Sequence, residues 1–161
     1  MSFVEIVEYI KSIANDRFSI LEDKEVIIVD SNNWNEIASI LKNDKKLNFN
    51  YLMCISAYDK GDGSIYGVAY NFYSIKKNHY IEVRIEVEDG IPIPSVSSLW
   101  KTADWHEREA YDMIGIKFDG HPDLKRILLS EDWEGYPLRK DYKEPEYYHG
   151  LPVPKDKSYW E

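Results

Sequence analysis

The stretch Tyr80-Ile-Glu-Val-Arg-Ile-Glu-Val-Glu88 alternates apolar and charged residues without a break. Ile81, Val83, Ile85 and Val87 point one way along an extended chain, while Glu82, Arg84, Glu86 and Glu88 point the other. This is a strand with one buried face and one that is solvated or awaits a partner. Working backward, Lys76-Lys-Asn78 reads as a turn and Ile65–Ser74 as the preceding strand. Asp59-Lys-Gly-Asp-Gly-Ser64 is a glycine-rich hairpin loop, and Phe49–Tyr58 is the strand before it. Val26-Ile-Ile-Val29 is a β-branched run typical of another strand, although Phe18 to Asp30 alternates less cleanly. A mainly antiparallel sheet of about four strands follows.

Helices flank this sheet. Val4, Ile6, Val7, Ile10, Ile13 and Ala14 recur at helical spacing after Ser2, a candidate N-cap. Ser31-Asn-Asn-Trp-Asn-Glu36 opens a short helix carrying Ile37, Ile40 and Leu41. Ile91-Pro-Ile-Pro94 ends the sheet region, because proline cannot donate into a ladder. Ser95 then caps an expected helix holding Val96, Leu99, Trp100 and Ala103. Asp104 and Glu107 resemble a capping box for a further helix that runs to Ile114 and closes at Gly115. The fold class is therefore α+β, with a domain over residues 1–115. Residues 116–161 form an extended tail, since Pro122, Pro137, Pro145, Pro152 and Pro154 prevent a long helix. The tail's Trp, Tyr, Leu and Ile content is unlike that of a solvated linker, so it is expected to dock on a partner.

The bulk properties bound the function. At 161 residues the chain suits one compact domain plus a tail, and at 43% hydrophobic it is not disordered throughout. A net charge of −9 repels phosphate backbones and anionic headgroups, which makes nucleic acid and lipid poor partners. No run approaches the ~20 apolar residues of a membrane span, and the first residues lack a signal peptide's basic start and apolar core. The expectation is a soluble, cytosolic protein with no direct membrane insertion. Cys54, the single cysteine, lies in an apolar run and reads as a buried inert thiol.

Chemistry-bearing residues crowd into Trp105–Leu128. His106 and Glu109 share a helical face that His121 or His149 could complete as a metal set, but charge pairing and capping account for the same residues. Glu107, Glu109 and Asp112 could hold a carboxylate pair with split pKa values, against the simpler reading of an ion-paired helical face. GxSxG, GxxxxGKS and GxGxxG are absent. Arg108 lies four residues from Asp112, and His121, Lys125 and Arg126 could meet the helix carboxylates once the chain turns at Gly115 or Gly120. Arg108, Arg126 and Arg139 offer forked donors suited to bidentate pairs with a partner's carboxylates, and Trp105, Tyr111, Phe118, Trp133, Tyr136 and Tyr142 lie between them. An interface is the expected use, beside the alternative that many of these rings pack on the chain's own sheet.

Glu107-Arg-Glu109, Asp112-Met-Ile114, His121, Lys125 and Ile127-Leu128 resemble, in spacing as well as type, the signature of the C subunit of respiratory complex I. Trp133-Glu-Gly135 and Pro137-Leu-Arg-Lys-Asp-Tyr142 are similar to that family's C-terminal continuation. The resemblance implies a hydrophilic peripheral-arm subunit of a proton-pumping NADH:quinone oxidoreductase on the cytoplasmic side of the cell membrane. It implies contact with the D subunit, near the B subunit, of complex I. It also implies no cofactor on this chain, with iron–sulfur clusters, FMN and quinone in partner subunits. The partner-facing positions it suggests are Arg108, Glu109, Asp112, His121, Arg126, Trp133, Pro137, Arg139, Asp141 and Tyr142. Energy-converting hydrogenases and F420H2 dehydrogenases contain similar subunits and form the alternative.

Overall fold

The computed structural model describes residues 1–14, 18–21, 24–61 and 63–153. Residues 154–161 of the expected tail, Asp62 of the expected hairpin loop, and positions 22 and 23 lie outside the described residues.

Five strands form the main sheet: β1 (Phe18–Leu21), β2 (Val26–Val29), β3 (Tyr51–Asp59), β4 (Ile65–Ser74) and β5 (His79–Glu88), in the order β1-β2-β5-β4-β3. All neighbours are antiparallel except β2 and β5, which run parallel. The extra strand is β1, whose four residues pair Phe18 with Val29 through Leu21 with Val26. Too short to show an alternation of its own, it is held by this pairing.

The β4–β5 register places Tyr66 opposite Val87, Val68 opposite Ile85, Tyr70 opposite Val83 and Phe72 opposite Ile81. These eight side chains are buried, so the alternation read at Tyr80–Glu88 holds. They join one core with the buried faces of helices α1 (Phe3–Ala14), α2 (Trp34–Asn43) and α3 (Ala103–Ile114). Trp34 of α2 lies 4.7 Å from the Tyr70 ring, and Trp100 lies 4.8 Å from Phe72. On the opposite face, Tyr58 donates to Glu86 and Arg84 pairs with Glu82 at 2.6 Å.

Ser2 and Glu5 form the reciprocal cap that starts α1: the Glu5 N–H donates to Ser2 Oγ, and the Ser2 N–H donates to Glu5 Oε2. Gly115 closes α3 at φ +86°, and a Cβ there would come 2.5 Å from the Tyr136 ring. Left-handed backbone and ring contact both require glycine.

Three expectations need correcting. No helix forms over residues 95–102; successive turns at Val96–Trp100 and Trp100–Ala103 bury the same apolar residues. Asp104 and Glu107 make no capping box, because Glu107 points away from the helix start toward Ser95 and Val96. Cys54 is half-buried rather than buried; it sits at a β-bulge and accepts a hydrogen bond from Asn71 at 3.4 Å.

From Ile116 to Tyr142 the chain stays against the domain. Ile116 and Phe118 belong to the core, and β6 (Ile93–Pro94) pairs in parallel with β7 (Phe118–Asp119). A last hairpin joins β8 (Tyr147–Tyr148) to β9 (Leu151–Pro152).

Candidate functional site

Helix α3 carries four acids, and three of them hold other parts of the chain. Asp112 is fully buried and accepts from the N–H groups of Ile127, Leu128 and Leu129 at 2.9, 2.7 and 2.9 Å. Arg126 adds a 2.7 Å ion pair to its Oδ1. Burial alone would raise this carboxyl, but the Leu129 N–H, the Arg126 guanidinium and the other two N–H groups outweigh it and hold the pKa below the usual range. Arg126 also donates to the carbonyls of Asp112, Trp133 and Gly135. One carboxylate and one guanidinium thus fasten residues 126–135 across α3.

Glu107, also fully buried, accepts from the Ser95 hydroxyl at 2.6 Å and the Val96 N–H at 2.8 Å. No arginine or lysine pairs with it among the described residues. Burial, which these two neutral donors only partly offset, pushes its pKa up to about 7. His121 Nε2 stands 3.9 Å from Glu107 and 3.1 Å from Asp104 Oδ1. Its Nδ1 accepts from the Asp123 N–H at 3.1 Å, which leaves the ring proton on Nε2, facing Asp104. The Ser95 loop, the start of α3 and the turn after Gly120 meet here.

Arg139 fastens the far end. It grips Asp89 through both terminal nitrogens at 2.8 and 3.2 Å and donates to the Ile114 carbonyl at 2.6 Å. Its guanidinium lies 4.3 Å from the Tyr66 ring and 4.8 Å from Tyr136. The Lys140 N–H reaches Asp59 at 2.9 Å, and the Leu138 N–H reaches the Met113 carbonyl at 3.0 Å. A strap over residues 126–142 results, tied to α3 and to the ends of β3 and β5.

The sequence-derived positions divide accordingly. Asp112, Arg126 and Arg139 find their bidentate and multiple partners within the chain, so the carboxylates expected from a partner are Asp112 and Asp89 of this molecule. Arg108 does not pair with Asp112; it donates to the carbonyls of Lys125 and Arg126, each at 3.2 Å. Lys125 pairs with Asp123 at 2.9 Å instead of a helix acid. Trp133 and Tyr142 are half-buried and joined by a 3.1 Å bond from the indole N–H to the phenol. Pro137 is half-buried, whereas Glu109 and Asp141 are exposed. No group of three or more His, Cys, Asp or Glu able to hold a metal occurs among the described residues. In the sequence Ser95 reads only as a helix cap and Asp59 only as part of a hairpin loop, and Asp89 carries no signal, since no local pattern ties them to residues 12, 81 and 50 positions away.

A sheet with its helices on one face, belted by a strap that its own buried charges secure, defines an α+β domain with a fastened C-terminal extension. Comparison with known proteins agrees. Residues 27–148 match the family described as the 30 Kd subunit of respiratory-chain NADH dehydrogenase. A relative from Chloroherpeton thalassium, named as the C subunit of NADH-quinone oxidoreductase, is 53% identical over 123 residues, 75% of this chain and 51% of that protein. One of the same name from Chlorobium phaeobacteroides is 49% identical, over 79% of this chain and 78% of its own length. The J subunit of NAD(P)H-quinone oxidoreductase from Prochlorococcus marinus is 43% identical over 77% of this chain and 75% of its own length. The chain belongs to the 30 kDa subunit family of respiratory-chain NADH dehydrogenase. It spans about half the length of the Chloroherpeton relative. The same fold occurs in a chain of the membrane-bound sulfane sulfur reductase, an archaeal respiratory membrane complex, with a TM-score of 0.72 at 22% identity over 86% of this chain and 84% of that one.

Proposed function

We propose that the chain works as the peripheral C subunit of an NADH:quinone oxidoreductase, docking on the D and B subunits at the cytoplasmic side of the membrane. It binds no cofactor itself; the iron–sulfur clusters, FMN and quinone belong to its partners. Family membership and the near 50% identity to proteins named for this role carry the reading. The absence of any helix long and apolar enough to cross a membrane, among the described residues, is compatible with a peripheral position.

Asp112, Arg126 and Arg139 keep the strap in one conformation before assembly, so binding loses little ordering entropy. The partner then meets a preformed surface that includes the exposed Trp105, Leu128 and Leu138. The experiment is removal of the chain from its host. Membranes from those cells should lose NADH-driven quinone reduction and recover it on re-expression. Unchanged reduction would overturn the assignment.

A further inference from the structure

Between β3 and α3 runs a shallow hollow of about 190 Å³, lined by Ile55, Ala57, Ala110, Met113 and Leu138. It is smaller than the roughly 300–1,000 Å³ of a small-molecule pocket and fits one or two side chains. Its lip carries Glu109, and Leu138 stands 60% exposed beside it. Glu109 differs from the other acids of α3. Asp104 faces His121, Glu107 holds Ser95 and Val96, and Asp112 holds Arg126 with three backbone N–H groups. Glu109 is exposed and takes part in no hydrogen bond or ion pair among the described residues.

We infer that this hollow is the seat of a partner polypeptide segment that places a lysine or arginine on Glu109 and an aliphatic side chain against Leu138 and Met113. The inference rests on the peripheral-arm role proposed above and specifies the chemistry of one contact within it. A segment that buries the hollow also strips water from Glu109, and a desolvated carboxylate without a counter-charge is strongly unfavourable. Unlike Glu107, which has the Ser95 hydroxyl and the Val96 N–H, Glu109 has no donor from the described residues, so a cation on the covering segment is its matching partner. Neither neighbouring arginine is directed at Glu109: Arg108 is turned to the carbonyls of Lys125 and Arg126, and Arg139 is held by Asp89. Fastening the strap also fixes Leu138, through its N–H bond to the Met113 carbonyl, so the apolar wall stands ready at the acid.

The test uses the full-length tagged chain purified from its host membranes, with the co-purifying proteins quantified after washes of rising salt. Glu109→Lys should retain about tenfold less partner or worse, Glu109→Gln an intermediate amount, and Leu138→Asp as little as Glu109→Lys. Glu8→Lys, a reversal on the exposed face of α1, should retain the wild-type amount. All four isolated chains should melt as wild type does, since neither Glu109 nor the Leu138 side chain supports the fold. Wild-type retention by Glu109→Lys and Glu109→Gln overturns the contact while leaving the peripheral-arm role intact. Loss of partner by Glu8→Lys to the same degree also overturns it, as does a wild-type chain that dimerises through this face. Failure of the wild type to retain any partner refutes the peripheral-arm role itself.

Discussion

Glu107 and Asp112 lie five residues apart on one helix, both shut off from water, and their surroundings treat them in opposite ways. Asp112 receives a guanidinium and three N–H donors, so its charged form is favoured. Glu107 receives two neutral donors and stays protonated up to about pH 7. Opposite pH dependences follow. The Asp112 contribution is present at neutral pH and is lost as pH falls through its depressed folded pKa. For Glu107 the folded pKa lies above the unfolded one, so its stabilisation is complete below the ordinary carboxylate range and declines as pH rises to about 7. Glu107→Gln should therefore flatten the decline in melting temperature between about pH 5 and 7, an outcome read by scanning calorimetry. An unchanged slope would mean that another group is responsible. Asp112→Ala should cost about 3–5 kcal/mol in denaturant unfolding, because it leaves Arg126 and three N–H groups without their acceptor. Arg139→Ala should lower the stability of the isolated chain too, by roughly 1–3 kcal/mol, since its carboxylate partner is Asp89 of the same chain. The sequence alone suggests a partner's carboxylate for Arg139, whereas the pair it makes is with Asp89.

At the scale of elements, periodicity was informative wherever neighbours along the chain decide the outcome. Ile81, Val83, Ile85 and Val87 announce β5, and the Ser2 cap and Gly115 stop lie where local rules place them. Residues 95–102 show the limit. Val96, Leu99, Trp100 and Ala103 have helical spacing, but the Ser95 hydroxyl and Val96 N–H are taken by Glu107, 12 and 11 residues onward. A local window cannot see that competition, and it misassigns Glu107 to a capping box for the same reason. Gly115→Ala tests how α3 ends. The substitution forces a side chain into left-handed backbone and against the Tyr136 ring, so a loss of about 1–2 kcal/mol is expected in chemical denaturation. A neutral or stabilising result would show that Tyr136 does not rest on this turn.

For the molecule as a whole, the sequence displayed the residues of the strap without showing what they hold. Arg126 with Asp112, Arg139 with Asp89 and Lys140 with Asp59 are 14, 50 and 81 positions apart, so their pairing depends on a fold that must already exist. The aromatic and arginine content beyond Gly115 suggested adhesion to a partner, whereas through residue 142 much of it adheres to this domain. Limited proteolysis of the free chain should accordingly spare residues 126–142; early cleavage there would contradict a strap fastened before assembly. Affinity purification of the tagged chain from solubilised membranes identifies the proteins that leave the membrane with it. Recovery of the other components of an NADH:quinone oxidoreductase, in equal amounts with it, is the predicted result. Recovery of the chain alone, or with the components of an energy-converting hydrogenase, would contradict it.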